Sequence, residues 1–310
     1  MSRPLNIAHR GGAGLWPENT MAAFAGAAAM GAHGFELDVH ITRDGEVAVY
    51  HDDALKPEIT RGPDGTWITR RDMLLKDMTF AELQAFDVGR AAPGSRYAAE
   101  HPVTAWADGA RVPHLREVLA LVRGTHLQVW IELKSNFVEP GRTVAPYVFA
   151  EKVVTLIRAE RAEANVVIIG FDWRALVAAQ RLAPDLPVWF TTLPQSWFGP
   201  DDPPLAHWPP PEPLYHKFRA WDRTEAPWAA GFDKARHGGL LPAIKASGAQ
   251  GWFPFHPDLD ASSVARARAH GLKVGGWTVN AEADMQRLIG LGVEAICTDY
   301  PDRLATASRS

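Results

Sequence analysis

Short apolar runs recur along this chain, and a window with helical spacing separates most of them. Runs at 5–8, 35–42, 128–134, 166–171, 188–192, 251–255, 273–279 and 295–298 read as strands, several of them rich in β-branched residues. Windows at 114–123, 146–162, 173–183, 239–247, 261–270 and 281–291 read as helices. In the first of these, Leu115, Val118, Leu119 and Val122 share one face. Strands that alternate with helices imply parallel βαβ units. About eight strand candidates are enough to close one (β/α)8 TIM barrel, so the expected class is α/β with a single catalytic domain over residues 1–310. Length alone would also allow two ordinary domains.

Three stretches depart from the alternation. Arg43-Asp44-Gly45 reads as a hairpin-type turn, so 47–50 should run back along the preceding strand. Residues 54–112 are too long for an ordinary barrel loop and carry Gly-Pro-Asp-Gly at 62–65 and a short helical run near 80–86. We expect a small insertion subdomain there, capping the catalytic face. After the fifth barrel strand, 194–232 holds many prolines and Trp197, Trp208, Trp221 and Trp228; Pro209-Pro210-Pro211 cannot be helix or central strand. Those aromatics either line a pocket or anchor the loop to the barrel.

Composition excludes several classes. A formal net charge of −4 leaves no basic surplus for nucleic acid. One cysteine, Cys297, excludes an internal disulfide framework and is compatible with a reducing compartment. No apolar stretch approaches the roughly 20 residues of a membrane span. The opening Met-Ser-Arg-Pro-Leu-Asn enters the first strand without a charged leader and apolar core, so the cytoplasm is the expected location.

Chemistry concentrates in the first fifty-two residues. His9 and Arg10 follow the run 5–8, and glycines follow them. Glu36 and Asp38 alternate with Phe35, Leu37 and Val39, so both carboxylates share one strand face while the apolar residues bury the other. Burying two carboxylates together is costly unless a cation compensates. His51 and Asp52 end the run 47–50, and Glu132 and Lys134 share a face at the end of 128–134. Active sites of (β/α)8 barrels collect at the C-terminal strand ends. Glu36, Asp38 and Glu132 supply oxygen ligands of the kind a hard cation takes. Two imidazoles can divide acid and base roles near neutral pH, and Arg10 and Lys134 can hold phosphate charge, Arg10 through a forked contact. His207, His216 and His237 have no motif around them and are not expected to be ligands.

The quoted residues also resemble a known family. His-Arg-Gly at 9–11, Pro-Glu-Asn-Thr at 17–20, Glu-Leu-Asp at 36–38, Thr-Arg-Asp-Gly at 42–45 and the run 47–53 ending His-Asp-Asp resemble the signature of glycerophosphodiester phosphodiesterases. The resemblance continues in order through 112–119, 131–134, Gly-Trp-Thr-Val-Asn at 276–280 and Cys-Thr-Asp-Tyr-Pro-Asp at 297–302. It implies a (β/α)8 barrel, one divalent cation (Mg2+ or Ca2+, with Mn2+ also possible), and hydrolysis of glycerophosphodiesters to sn-glycerol 3-phosphate and an alcohol. It assigns the acid–base pair to His9 and His51 and places Trp277 near the glycerol moiety. Glu18 and Asn19 are expected to shape the first loop and its helix cap rather than touch phosphorus. The resemblance leaves open which histidine starts as base, and whether water or the glycerol hydroxyl attacks.

Two other functions compete. A lysophospholipase D or sphingomyelinase D-like phosphodiesterase of the same superfamily would use the same groups on lipid substrates, and the tryptophan-rich segment suits an interface. A catalytically dead barrel that binds phosphodiesters would be expected to lack one of the seven groups His9, Arg10, Glu36, Asp38, His51, Glu132 and Lys134.

Overall fold

A computed structural model describes residues 3–102, 105–198 and 226–309. Among them, eight parallel strands form a nearly closed barrel: β1 (Leu5–Ala8), β2 (Gly34–Ile41), β4 (Gln128–Leu133), β5 (Val166–Ile169), β6 (Trp189–Thr192), β7 (Gly251–Pro254), β8 (Lys273–Gly276) and β9 (Ala295–Thr298). A ninth, β3 (Val47–Val49), runs antiparallel to β2 through the expected hairpin, with Gly45 at φ +81°. The strands follow one another as β5-β4-β2-β1-β9-β8-β7-β6. The circle closes between β5 and β6 through a parallel bridge of Ile168 with Val188. The TIM barrel read from the sequence is thus present, with most strands one to three residues shorter than expected because their last residues turn into the loops of the open face.

Two layers of core follow from the two-residue strand period. Phe35, Leu37, Val39, Val129 and Ile131 point outward into one large cluster with the surrounding helices. Ile7, Trp130, Val167, Ile169, Trp189, Phe253 and Cys297 point inward and plug the lumen. The Trp130 ring lies 4.8 Å from that of Trp189 and 5.2 Å from that of Phe253.

Helices form at all six windows where the spacing predicts them, and further ones form outside those windows. They are α1 (Met21–Met30), α2 (Phe80–Leu83), α3 (Arg96–Glu100), α4 (Leu115–Val122), α5 (Pro146–Glu160), α6 (Trp173–Leu182), α7 (Lys234–His237), α8 (Leu240–Ala246), α9 (Ala261–Ala269), α10 (Glu282–Leu291) and α11 (Pro301–Ala307). All four apolar residues expected on one face of α4 are fully buried. Thr20 caps α1 by accepting from the Ala23 amide at 3.2 Å, and Gly31 ends it in the left-handed region. Gly34 opens β2; a β-carbon there would lie 2.2 Å from the Gln128 carbonyl of β4. None of the helices among the described residues is long and apolar enough to cross a membrane.

Residues 54–112 gather their own apolar cluster around Leu55, Ile59, Leu75, Leu83, Val88, Tyr97 and Val112, continuous with Ala48 and Tyr50 of the hairpin. The segment contains α2 and α3. Of the 194–232 stretch, the described part includes Trp197, which is buried, and Trp228, whose ring lies 5.0 Å from Phe137. The expectations for Trp208, Trp221, the triple proline, His207 and His216 fall outside the described residues.

Candidate active site

Register brings the three carboxylates together. In the parallel pair β2–β4, Asp38 stands opposite Glu132 and Glu36 opposite Trp130, so all of these side chains enter the lumen. One oxygen from each of Glu36, Asp38 and Glu132 lies within 4.8 Å of the others, and all three residues are buried. Burial and the neighbouring Asp38 push the Glu36 carboxyl up, and burial likewise raises Glu132. Asp38 goes the other way: burial would raise it too, but His51, Lys134 and Arg10 hold it well below the usual carboxylate range. Two of the three acids thus resist ionisation. A dense oxygen set under that strain fits a hard divalent cation, which would stabilise all three as carboxylates.

β1 delivers the next two groups through a tight turn. His9 and Arg10 occupy a short 3-10 turn, with Arg10 at φ +51° and Gly11 at φ +83°. A β-carbon at Gly11 would lie 2.7 Å from that of Ala23 in α1, so only glycine lets the turn sit this close to the helix. The turn aims the Arg10 amide at Glu36, which accepts at 3.0 Å. Asn19, also at positive φ, donates to Asp38 at 2.9 Å, and Glu18 pairs with Arg10 at 3.0 Å. The Pro-Glu-Asn-Thr run therefore shapes the loop and caps the helix as expected, and it also holds two of the site residues.

Each candidate histidine has a carboxylate behind it. His9 Nδ1 donates to Asp299 at 2.7 Å, and its Nε2 lies 3.9 Å from Glu36. His51 Nδ1 donates to Asp52 at 2.6 Å, and its Nε2 lies 3.2 Å from the Lys134 ammonium. A proton held on Nδ1 leaves Nε2 of the neutral ring free to accept. Their surroundings then separate them. Burial works against a charged His9, but Asp299 outweighs it and raises the imidazole. For His51, burial together with Arg10 and Lys134 lowers it well below the ordinary value. Lys134 itself is 2.9 Å from Glu132 and 3.6 Å from Asp38.

A cavity of about 340 Å³ is lined by His9, Arg10, Glu36, His51, Glu132, Lys134 and Trp277, with Asp38 buried behind them. Its other wall is Ile169, Phe171, Leu193, Trp197 and Phe253. A second cavity, of about 330 Å³, shares His51, Glu132, Lys134, Phe171 and Leu193 and extends toward Asp52, Asp53 and Asn136. All eight candidate residues therefore meet in one place. His237, at the end of α7, donates to the Asp233 carbonyl at 3.1 Å and does not line either cavity.

Sequence alone assigns no role to Asp299, Asn280 or Asp52. Asn280 donates to Asp299 at 2.6 Å and accepts from its amide at 3.0 Å, while burial is overcome by His9 to bring the Asp299 carboxyl down to about 2. Asp299 and Asn280 both stand in quoted motifs near late strand ends, which was the available signal. Asp52 follows His51 directly.

A barrel whose open face gathers three carboxylates able to hold a cation, beside two imidazoles that are each oriented by a carboxylate, has the make-up of a hydrolase site. The pattern that defines the Glycerophosphoryl diester phosphodiesterase family matches residues 9–303, and the chain belongs to that family of phosphodiesterases. It is 29% identical over 308 residues to a glycerophosphodiester phosphodiesterase of Caldanaerobacter subterraneus, covering 99% of this chain and 98% of that protein. It is 30% identical to one from Bacillus subtilis, covering 97% and 85%. The crystal structure of a Silicibacter pomeroyi protein placed in the same family superposes with a TM-score of 0.82 at 32% identity, covering all of this chain and 94% of that one. An Oleispira antarctica phosphodiesterase, solved with the product sn-glycerol-3-phosphate, shares the fold with a TM-score of 0.68 at 22% identity, covering 99% and 98%.

Proposed function

We propose that this protein hydrolyses glycerophosphodiesters to sn-glycerol 3-phosphate and an alcohol, with a divalent cation and two histidines. The observation that carries the reading is the convergence of Glu36, Asp38 and Glu132 with His9 and His51 on one cavity. Glu36, Asp38 and Glu132 would hold Mg2+ or Ca2+, with Mn2+ a further option, and the ion would neutralise phosphoryl charge. Arg10 and Lys134, on the same wall, bind the remaining phosphate oxygens, Arg10 through its planar fork. His9, held by Asp299, and His51, held by Asp52, exchange protons with the nucleophile and the departing alkoxide. Their opposed surroundings suit one donor and one acceptor. Trp277 forms the apolar wall beside the glycerol. The product seen in the Oleispira protein supports this choice of substrate. We also read residues 54–112 as a capping subdomain, since their cluster reaches the site through Tyr97.

The test is release of sn-glycerol 3-phosphate from glycerophosphocholine by the purified protein. EDTA should abolish the release, and Mg2+, Ca2+ or Mn2+ should restore it; full turnover in chelator would remove the carboxylate trio from the mechanism. A second reading, lysophospholipase D action, has its own support. The cavity wall from Ile169 to Phe253 is apolar, and a lysophospholipase D of Homo sapiens is 26% identical over 308 residues. Rates on glycerophosphocholine and lysophosphatidylcholine separate the two.

A further inference from the structure

We propose that Tyr97 is a positioning residue for phosphate recognition: through Glu18, its hydroxyl sets the Arg10 guanidinium against the cavity wall. The inference rests on the phosphodiesterase reading above and adds a residue from the 54–112 segment to it.

Tyr97 lies on α3, whose first turn is capped by Ser95. Its ring is buried, stacked on His101 at 4.1 Å with the Lys56 ammonium 4.8 Å above it. The hydroxyl donates to Glu18 Oε2 at 2.8 Å, across 79 residues of chain. That same oxygen accepts from Arg10 Nη1 at 3.0 Å. Among the described residues, Glu18 Oε1 has no hydrogen-bond partner, so Tyr97 and Arg10 carry the anchoring of this carboxylate between them. Burial would raise the Glu18 carboxyl, yet Arg10 and Lys56, with the tyrosine hydrogen bond, bring it to about 2, so the anchor stays charged.

The arrangement matters because Arg10 has a second carboxylate within reach. Its Nε lies 3.4 Å from Asp38 Oδ2. If Glu18 swings, the guanidinium can lean further onto Asp38, one of the three carboxylates of the trio, and away from a bound phosphate. The hydroxyl of Tyr97 opposes that swing. It comes from a segment outside the barrel strands, which gives the insertion a part in substrate recognition beyond covering the face.

Tyr97→Phe removes the hydroxyl and keeps the stacked ring. It should raise KM for glycerophosphocholine, and the dissociation constant of inorganic phosphate, roughly three- to tenfold, with kcat within about twofold, as expected when binding common to ground and transition states is lost. Glu18→Gln should shift KM in the same sense. In an Arg10→Lys background, Tyr97→Phe should change KM less than about twofold, because the group it acts through is gone. Unchanged KM and phosphate affinity in Tyr97→Phe would overturn the proposal, and so would an undiminished effect in the Arg10→Lys background. Wild-type protein that releases no sn-glycerol 3-phosphate but binds phosphate through Tyr97 and Arg10 would instead refute the functional reading and leave this linkage standing.

Discussion

The mouth of the barrel has two unlike arcs. The arc of β1, β2 with its hairpin strand β3, and β4 carries His9, Arg10, Glu36, Asp38, His51, Glu132 and Lys134, and each of these has a named hydrogen-bond or ion-pair partner. Strands β5 to β8 end in Ile169, Phe171, Leu193, Phe253 and Trp277, which meet through ring contacts such as Phe171 with Trp277 at 5.2 Å. One arc holds charge in fixed directions, and the other gives shape and excludes water. Fixed dipoles and charges act most strongly where water is kept away, so the apolar arc raises the effect of the polar one without touching a proton.

The largest test of that division removes an imidazole. His9→Ala or His51→Ala should cost roughly 10²- to 10⁴-fold in kcat, with the melting temperature little changed. A loss of less than tenfold in either variant would mean that the polar arc does not carry the proton transfers.

A third imidazole of the polar arc sharpens the contrast. His40 is buried, donates to the His51 carbonyl at 3.1 Å, and is lowered to about 4, chiefly by burial. Its folded value lies below its unfolded one, so the unfolded chain takes up a proton between pH 6.5 and 4 that the native state refuses, and stability falls as pH falls through that window. Between pH 7 and pH 5 the decline from this group should be roughly 2 kcal/mol in urea denaturation. His40→Gln should flatten that part of the profile; an unchanged slope would assign it to other groups.

The smallest effect belongs to the apolar arc. Trp277→Ala should raise KM by about fivefold, or about 1 kcal/mol, while leaving kcat nearly intact. A drop in kcat comparable to that of the histidine variants would break the division between the arcs.

Much of this arrangement is legible in the sequence. The alternation of runs and the α4 face follow from local periodicity, and Glu36 and Asp38 betrayed themselves as acids inside an otherwise apolar strand. What stayed hidden is long in range. Asp299 meets His9 across 290 residues and Tyr97 meets Glu18 across 79, and no local pattern encodes a partner that distant. Tyr97 also stands in an Ala-rich tail with no motif around it, whereas Asp299 at least sat in a quoted one. The run 166–171 reads two residues too long as a strand because Phe171 is apolar for the cavity that it lines, whereas Trp277 lines the same cavity and still bridges to Phe255 just past β8.

β1 lies between β2 and β9. A chain still being synthesised could therefore assemble its acids long before the strand that brings Asp299 to His9 has emerged. Until that last strand docks, the imidazole lacks the partner that fixes its proton, so under the proposed mechanism hydrolysis would report that the ring has been completed.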